Sequence, residues 1–215
     1  MVLEVLKALR NQQGSGVEVI GVEWFRPTTV VPSELMPDSS NPSWMVDLHG
    51  MHHGGADKSA HVESRSLTQL TEHPFAIAQV DSSWNEALIK TFPQAKVISW
   101  VDVLVHDLVQ WSRHVPHDGW SIRWDVRKQG AVAVGMIGES LQWVHHLESG
   151  FEPDDALYAM VNAMHRCGGD PSQARVKWSG ERFLTEGWDR FVPLVEGPSG
   201  EDNWAPLLKS MASCA

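Results

Sequence analysis

The spacing of apolar and polar residues changes character along the chain, and each change marks an element. Val2, Leu3, Val5, Leu6 and Leu9 share one side of a helix over 2–12, closed by Gly14-Ser-Gly16. Val17 to Phe25 has strand character and stops at Pro27. Residues 27–74 are rich in Pro, Ser, His and Gly and are expected to be mostly loop, interrupted by one short strand at Trp44–Leu48. Phe75–Val80 is an apolar run suited to a buried strand, residues 83–91 have helical spacing, and Ala95–Ile98 is a further strand. Ser99 then caps a helix with Asp102 in its first turn and Val101, Leu104, Val105, Leu108 and Trp111 on its buried face. Strand-helix-strand-helix order predicts parallel pairing in this half.

Beyond the turn Pro116-His-Asp-Gly119 the period becomes two. Trp120, Ile122, Trp124 and Val126 alternate with Ser121, Arg123 and Asp125, which predicts a half-buried strand with the polar set facing solvent. Ala131–Ile137 and Leu141–Leu147 follow across tight turns at Lys128-Gln-Gly130 and Gly138-Glu139, completing an antiparallel meander. Pro153, Asp154 and Asp155 open a helix striped by Leu157, Met160, Val161 and Met164 and closed by Gly168-Gly169. Ala174–Trp178 is a strand, and a last helix is expected to bury Leu184, Trp188, Phe191 and Val192. The order β-β-β-α-β-α is that of a ribonuclease-H-like half-domain. The chain divides into a first α/β lobe over 1–115, containing the excursion 27–74, a second lobe over 116–195, and a Gly/Pro/Ser-rich tail over 196–215 expected to fray.

Charge narrows the function more than it narrows the fold. A formal net charge of -10 with only 17 Lys+Arg and no basic run disfavours nucleic-acid binding, which depends on clustered cations. No apolar run approaches the roughly 20 residues of a membrane helix, and the N-terminal stretch lacks a signal-type core. Cys167 and Cys214 form no framework, so free thiols and a cytoplasmic setting are expected. Eleven tryptophans are spread along the chain and suit packing roles better than one aromatic platform.

Three segments carry a family resemblance. Thr28-Thr-Val-Val-Pro-Ser-Glu-Leu35, Phe92-Pro-Gln-Ala-Lys-Val-Ile98, and Gly150–Tyr158 running on to Val176-Lys-Trp-Ser-Gly-Glu181 resemble, in consistent order, the blocks of the bacterial domain-of-unknown-function family 3822. The resemblance implies a two-lobed actin-like ATPase architecture of ribonuclease-H-like halves. Each lobe of that architecture begins with a three-strand meander, whereas this chain opens on a helix. The implied first lobe is therefore truncated, without the turn that grips phosphate or the carboxylate that positions metal. It also has an uncovered sheet edge, expected to recruit a protein partner or a second copy.

No residue set in the chain qualifies as catalytic or as a metal centre. If the fold resemblance extends to ATP and Mg²⁺ in an interlobe cleft, the candidate contacts are Asp125 beside the turn to Gly130 and the loop Ser179, Gly180 and Glu181. Both have plain structural explanations, Asp125 as a solvated strand residue and Gly180-Glu181 as a strand-to-helix turn. His49, His52, His53 and His61, with Asp47 and Asp57 nearby, match no zinc spacing and are expected in a solvated loop. His145 and His146 point to opposite faces of one strand. No G-x-S-x-G elbow or Walker A motif is present. The expectation is a non-catalytic scaffold or interaction module with no resident cofactor; the alternatives are a weak nucleotide-binding ATPase or kinase-like enzyme and a hydrolase using metal at the 49–61 histidines.

Overall fold

A computed structural model describes residues 2–13, 18–23, 26–36, 42–54, 61–80, 82–181, 187–192, 194–197, 207–208 and 210–211. The first part contains α1 (Val2–Gln13), β1 (Ile20–Glu23), β2 (Thr28–Val31), α2 (Pro42–His53), β3 (Val62–Ser66), β4 (Phe75–Gln79), α3 (Ser82–Thr91), β5 (Lys96–Ser99) and α4 (Trp100–His114). The second contains β6 (Trp120–Arg127), β7 (Gly130–Ile137), β8 (Ser140–Glu148), α5 (Pro153–Arg166), β9 (Ala174–Gly180) and β10 (Leu194–Glu196).

The meander forms as its alternation dictates: β6 pairs antiparallel with β7, and β7 with β8. After α5 the chain returns as β9 parallel to β6, and β10 then adds parallel to β9, giving the order β10-β9-β6-β7-β8. Of the expected last helix, residues 182–186, Leu184 among them, lie outside the described residues; Trp188–Arg190 is a 3-10 turn, and the strand β10 follows it. Trp188 and Val192 are buried as expected, but Phe191 is exposed because a 3-10 turn does not keep a helical stripe on one side. The tail also contributes structure: Glu196 pairs in the sheet and Leu207 is fully buried.

In the first part, the parallel partners are β1 and β5, with β4 elsewhere. β4 instead sits between β2 and β3 in an antiparallel sheet. The excursion expected to be loop is therefore a folded insert between the two parallel strands. Its helix α2 includes Trp44–Leu48, which is not a strand; Pro42 stands at the start, where a missing N–H costs nothing. Trp44, Met45, Val46 and Leu48 pack on Val31, Val62 and Ile77. Short strands of mixed polarity such as Val-Glu-Ser-Arg-Ser show no period-two pattern of their own, so only their pairing with β4 makes them legible.

Helix α4 joins the parts. Its start is the expected capping box, Val101 N–H donating to Ser99 Oγ at 3.2 Å and Ser99 N–H donating to Asp102 Oδ2 at 3.3 Å. The sequence predicts one buried face, yet Trp100, Val103 and Val109 are buried along with the expected five. The reason is that α4 is covered from two directions. Leu67, Leu70, Ala76 and Ile98 of the first part meet it on one side and Val132, Val134 and Met136 of β7 on another. The opposite face of the five-stranded sheet packs Trp120, Ile122, Trp124 and Val126 against Ala156, Met160 and Met164 of α5.

Because Leu104 is fully buried in the core shared by both parts, Leu104→Ala is expected to cost about 2–5 kcal/mol. Urea unfolding followed by tryptophan fluorescence checks this, and both parts should lose stability in one transition.

Candidate functional site

Among the described residues, the polar side chains of β6 and β9 form a buried cluster of charge. Ser121, Arg123 and Asp125 alternate toward α4, as do Arg175, Lys177 and Ser179 on the parallel neighbour. The expected solvated face is instead a buried polar layer: Ser121, Arg123 and Asp125 are all at most 2% exposed. Helix α4 covers that face and supplies the complementary groups. Arg123 Nε donates to Asp107 Oδ2 at 2.6 Å and its Nη2 to Ser179 Oγ at 3.2 Å. Lys177 Nζ lies 3.1 Å from the same Asp107 carboxylate. Arg175 Nε donates to Ser121 Oγ at 2.9 Å, and its guanidinium stacks over the Trp111 ring at 4.1 Å.

Asp125 is the hub at one end of this layer. Trp100 Nε1 donates to its Oδ2 at 3.1 Å, Ser179 Oγ donates to its Oδ1 at 2.7 Å, and Arg127 Nη2 lies 2.9 Å from the same oxygen. The four candidate nucleotide contacts do converge. Asp125 and Ser179 touch, and the two following residues continue the same strand end, where Glu181 N–H donates to Val126 O at 2.8 Å. Gly180 has φ +104°, and a Cβ there would lie 1.9 Å from the Val126 carbonyl oxygen, so close strand packing alone requires glycine. Both Asp125 oxygens are engaged by protein donors, which is the arrangement that stabilises a buried carboxylate. Sequence reasoning misses the contributions of Asp107 and Lys177. The available signal is the same alternation on both strands together with one acidic residue inside an apolar helix.

The histidines divide into two groups. His49, His52 and His53 lie on the last turns of α2 rather than in a loop. His49 Nδ1 is 3.1 Å from Thr29 Oγ1, and the His49 and His53 rings are 4.6 Å apart. His146 of β8 joins them, its ring 6.4 Å from that of His53. His145 and His146 face opposite sides of the sheet, opposite Ala133 and Val132 respectively. Burial and the neighbouring imidazoles lower the pKa of His49 to about 4 and that of His146 to about 3. His61 has a separate contact, with Glu63 at 3.0 Å, and Asp57 lies outside the described residues. Among the described residues no three His, Cys, Asp or Glu side chains are arranged to hold a metal ion.

Two further features lie at the surface. A cleft of about 500 Å³ lies between the start of β3 and α3, bordered by His61, Glu63, Glu86, Ile89 and Lys90. The other is the outer edge of β1. In the five-stranded sheet β9 has a parallel neighbour on each side, β6 and β10. Strand β1 has only β5, and no strand flanks its other edge among the described residues. Its Ile20 and Val22 are half-buried against the α4 core; Gly21 makes room for Leu88, and the buried Glu23 accepts from Asn85 Nδ2 at 3.2 Å.

Two solved structures show the fold. A Bacteroides thetaiotaomicron protein with an actin-like ATPase fold and unknown function superposes with TM-score 0.77 at 16% identity, covering 99% of this chain and 81% of that one. The PilM-PilN type IV pilus biogenesis complex matches with TM-score 0.56 at 10% identity, covering 99% and 84%. No protein-family model and no curated protein matches the chain. The chain therefore has the mixed α/β, two-lobed architecture of actin-like ATPases, with two strands described in the sheet of its first lobe. No helix among the described residues is long and apolar enough to cross a membrane.

Removing Asp125 would leave Arg127 and the Trp100 indole facing a vacated acceptor, so Asp125→Ala is expected to destabilise by about 3–5 kcal/mol. Gly180→Ala is expected to cost about 2–3 kcal/mol through its left-handed backbone and the Val126 contact. Chemical denaturation of both variants checks these values.

Proposed function

We propose that this chain is a non-catalytic protein-interaction module of actin-like fold, kin to domain-of-unknown-function family 3822 and working in the bacterial cytoplasm. Its partner contributes a strand to the outer edge of β1. The β1 edge, which no strand flanks among the described residues, carries this reading. In a parallel ladder alternate residues direct their backbone groups to each side. Lys96 N–H donates to Val19 O at 3.1 Å, so Val19, Gly21 and Glu23 serve β5 while Ile20 and Val22 present N–H and C=O outward. Such an edge is a template for strand addition, each new backbone hydrogen bond contributing about 0.5–1.5 kcal/mol. The relation of β6 to β9 in the second lobe supplies the geometry, a strand running parallel to the one it covers. The PilM-PilN structure is a complex between two proteins, which supports an interaction role for this architecture. The seat of Asp125 also favours it, since a carboxylate held by three protein donors is poorly placed to organise a cation.

A second reading, a weak nucleotide-binding ATPase or kinase-like enzyme, draws on the convergence of Asp125, Ser179, Gly180 and Glu181 at one strand end.

Light scattering coupled to size exclusion tests the edge. Concentration-dependent self-association, or co-elution with a cellular partner, is expected, and Ile20→Lys should weaken it by tenfold or more, since a charge on a half-buried edge residue opposes strand addition. A chain that stays monomeric at high concentration and retains no partner sinks the proposal. Titration with Mg-ATP is expected to give no binding heat; saturable micromolar binding would favour the second reading.

A further inference from the structure

The three-stranded insert and the five-stranded sheet meet along two strand edges. β2 ends the order β2-β4-β3 and β8 ends the order β10-β9-β6-β7-β8, and the two lie side by side without forming a ladder. Imidazoles fill the seam between them. His53 of α2 lies against the backbone of Thr28, and His146 of β8 against that of Arg26, two alternate positions along one edge of the β2 segment; these contacts by themselves favour the charged rings, but burial and the neighbouring imidazoles outweigh them. His49 reaches the neighbouring Thr29 hydroxyl. Side chains thus lie along β2 on the side where an adjoining strand would otherwise pair. Both ring nitrogens of His146 are shut off from solvent.

We propose that this histidine seam is an acid-sensitive latch, holding the insert against the second lobe at neutral pH and releasing it when the imidazoles take up protons. Three observations support it. The rings of His49, His52, His53 and His146 are close enough that each charge opposes the next, with centroid separations of 4.6–6.4 Å. No carboxylate on the contributing elements is buried beside the rings: Asp47 of α2 and Glu148 of β8 are both exposed, β2 carries none, and on β3, which packs on α2, Glu63 is exposed and paired with His61 while Arg65 is paired with Asp102. The insert also has a small core of its own, with only Val31, Val62 and Ile77 fully in it among the described residues, so its attachment rests on contacts with its neighbours, at the seam and through Leu67, Leu70 and Ala76 against α4.

Elsewhere the insert is held by Arg65 Nη1 donating to Asp102 Oδ2 at 2.7 Å, Gln69 Nε2 donating to Asp102 O at 3.3 Å, Thr71 Oγ1 donating to Glu139 Oε2 at 2.9 Å and Ser140 Oγ of β8 donating to Glu72 Oε2 at 3.1 Å. His145, on the other face of β8, is held below its ordinary range by burial and by His53, in the same direction. These groups bind protons more weakly when folded than when released. Stability at the seam is therefore complete above the ordinary histidine range, near pH 6.5, and falls steadily as pH drops toward the lowered values of His49 and His146. Release would bare the outer edges of β2 and β8. The latch does not depend on any pairing at β1.

Hydrogen exchange on the full chain at pH 7.5 and pH 5.0, corrected for intrinsic rates, tests it. Amides of Thr28–Val31 and Ser140–Glu148 are expected to lose protection by roughly tenfold or more at pH 5.0, following the tenfold per pKa unit of linkage, while β6 and β9 hold theirs. His146→Leu, which removes the imidazole whose two ring nitrogens are both shut off from solvent and keeps an apolar side chain, should suppress that selective loss. A loss spread evenly over the molecule, or one unchanged in His146→Leu, overturns the latch. If His146→Leu does not fold, imidazole proton NMR of the unaltered chain decides. His53 and His146 titrating together with the loss of protection supports the latch, and ordinary midpoints near 6.5 with the seam intact overturn it.

Discussion

A buried layer of charge and hydroxyl between α4 and the five-stranded sheet constrains the rest of the molecule. Burying Arg123, Asp125 and Arg175 is costly unless every one of them is met by a partner in good geometry. The partners come from separate stretches of chain: Asp107, Ser112 and Trp100 from α4, Ser179 from β9, Ser121 from β6. That requirement sets the register of β6 against β9 and the rotation of α4 above both. Apolar packing alone would allow α4 to slide along the sheet, because Val, Leu and Met contacts are non-directional. The polar layer removes that freedom.

The same layer bears on function. Helix α4 is the element shared by the two parts of the molecule. Here α4 carries a shared apolar core on one stretch and ionic contacts to β6 and β9 on another. Hydrogen bonds to Asp125 engage the carboxylate nearest the candidate nucleotide loop. What stays available is at the periphery: the β1 edge, the histidine seam and the cleft beside α3. An interaction role that uses edges suits a molecule whose centre is committed to holding itself together.

The meander, α4 and α5 are legible in the sequence because each writes its own period. Trp120 to Val126 alternates cleanly, Val101 to Trp111 recurs at helical spacing, and Ser99 and Pro153 announce where the helices begin. The insert is not legible in the same way. Its strands are four or five residues long, its helix includes a Trp-Met-Val-Asp-Leu segment of strand-like composition, and its core is assembled from both sides of β4. Asp125 and Ser179 touch, a contact that the alternation of each strand does not foretell, and Asp125, expected in solvent, is wholly enclosed.

By itself the sequence determined the local elements, the antiparallel meander with its returning parallel strand, and the scarcity of cationic surface, since these depend on neighbours within a few residues or on composition. Tertiary structure alone decided which face of β6 meets α4, that β1 rather than β4 pairs with β5, and that histidines nearly a hundred positions apart share one seam. The physical reason is the same in each case. An alternating strand announces two faces but not what covers them, and a charged side chain carries no mark of its partner until the chain has folded that partner into reach.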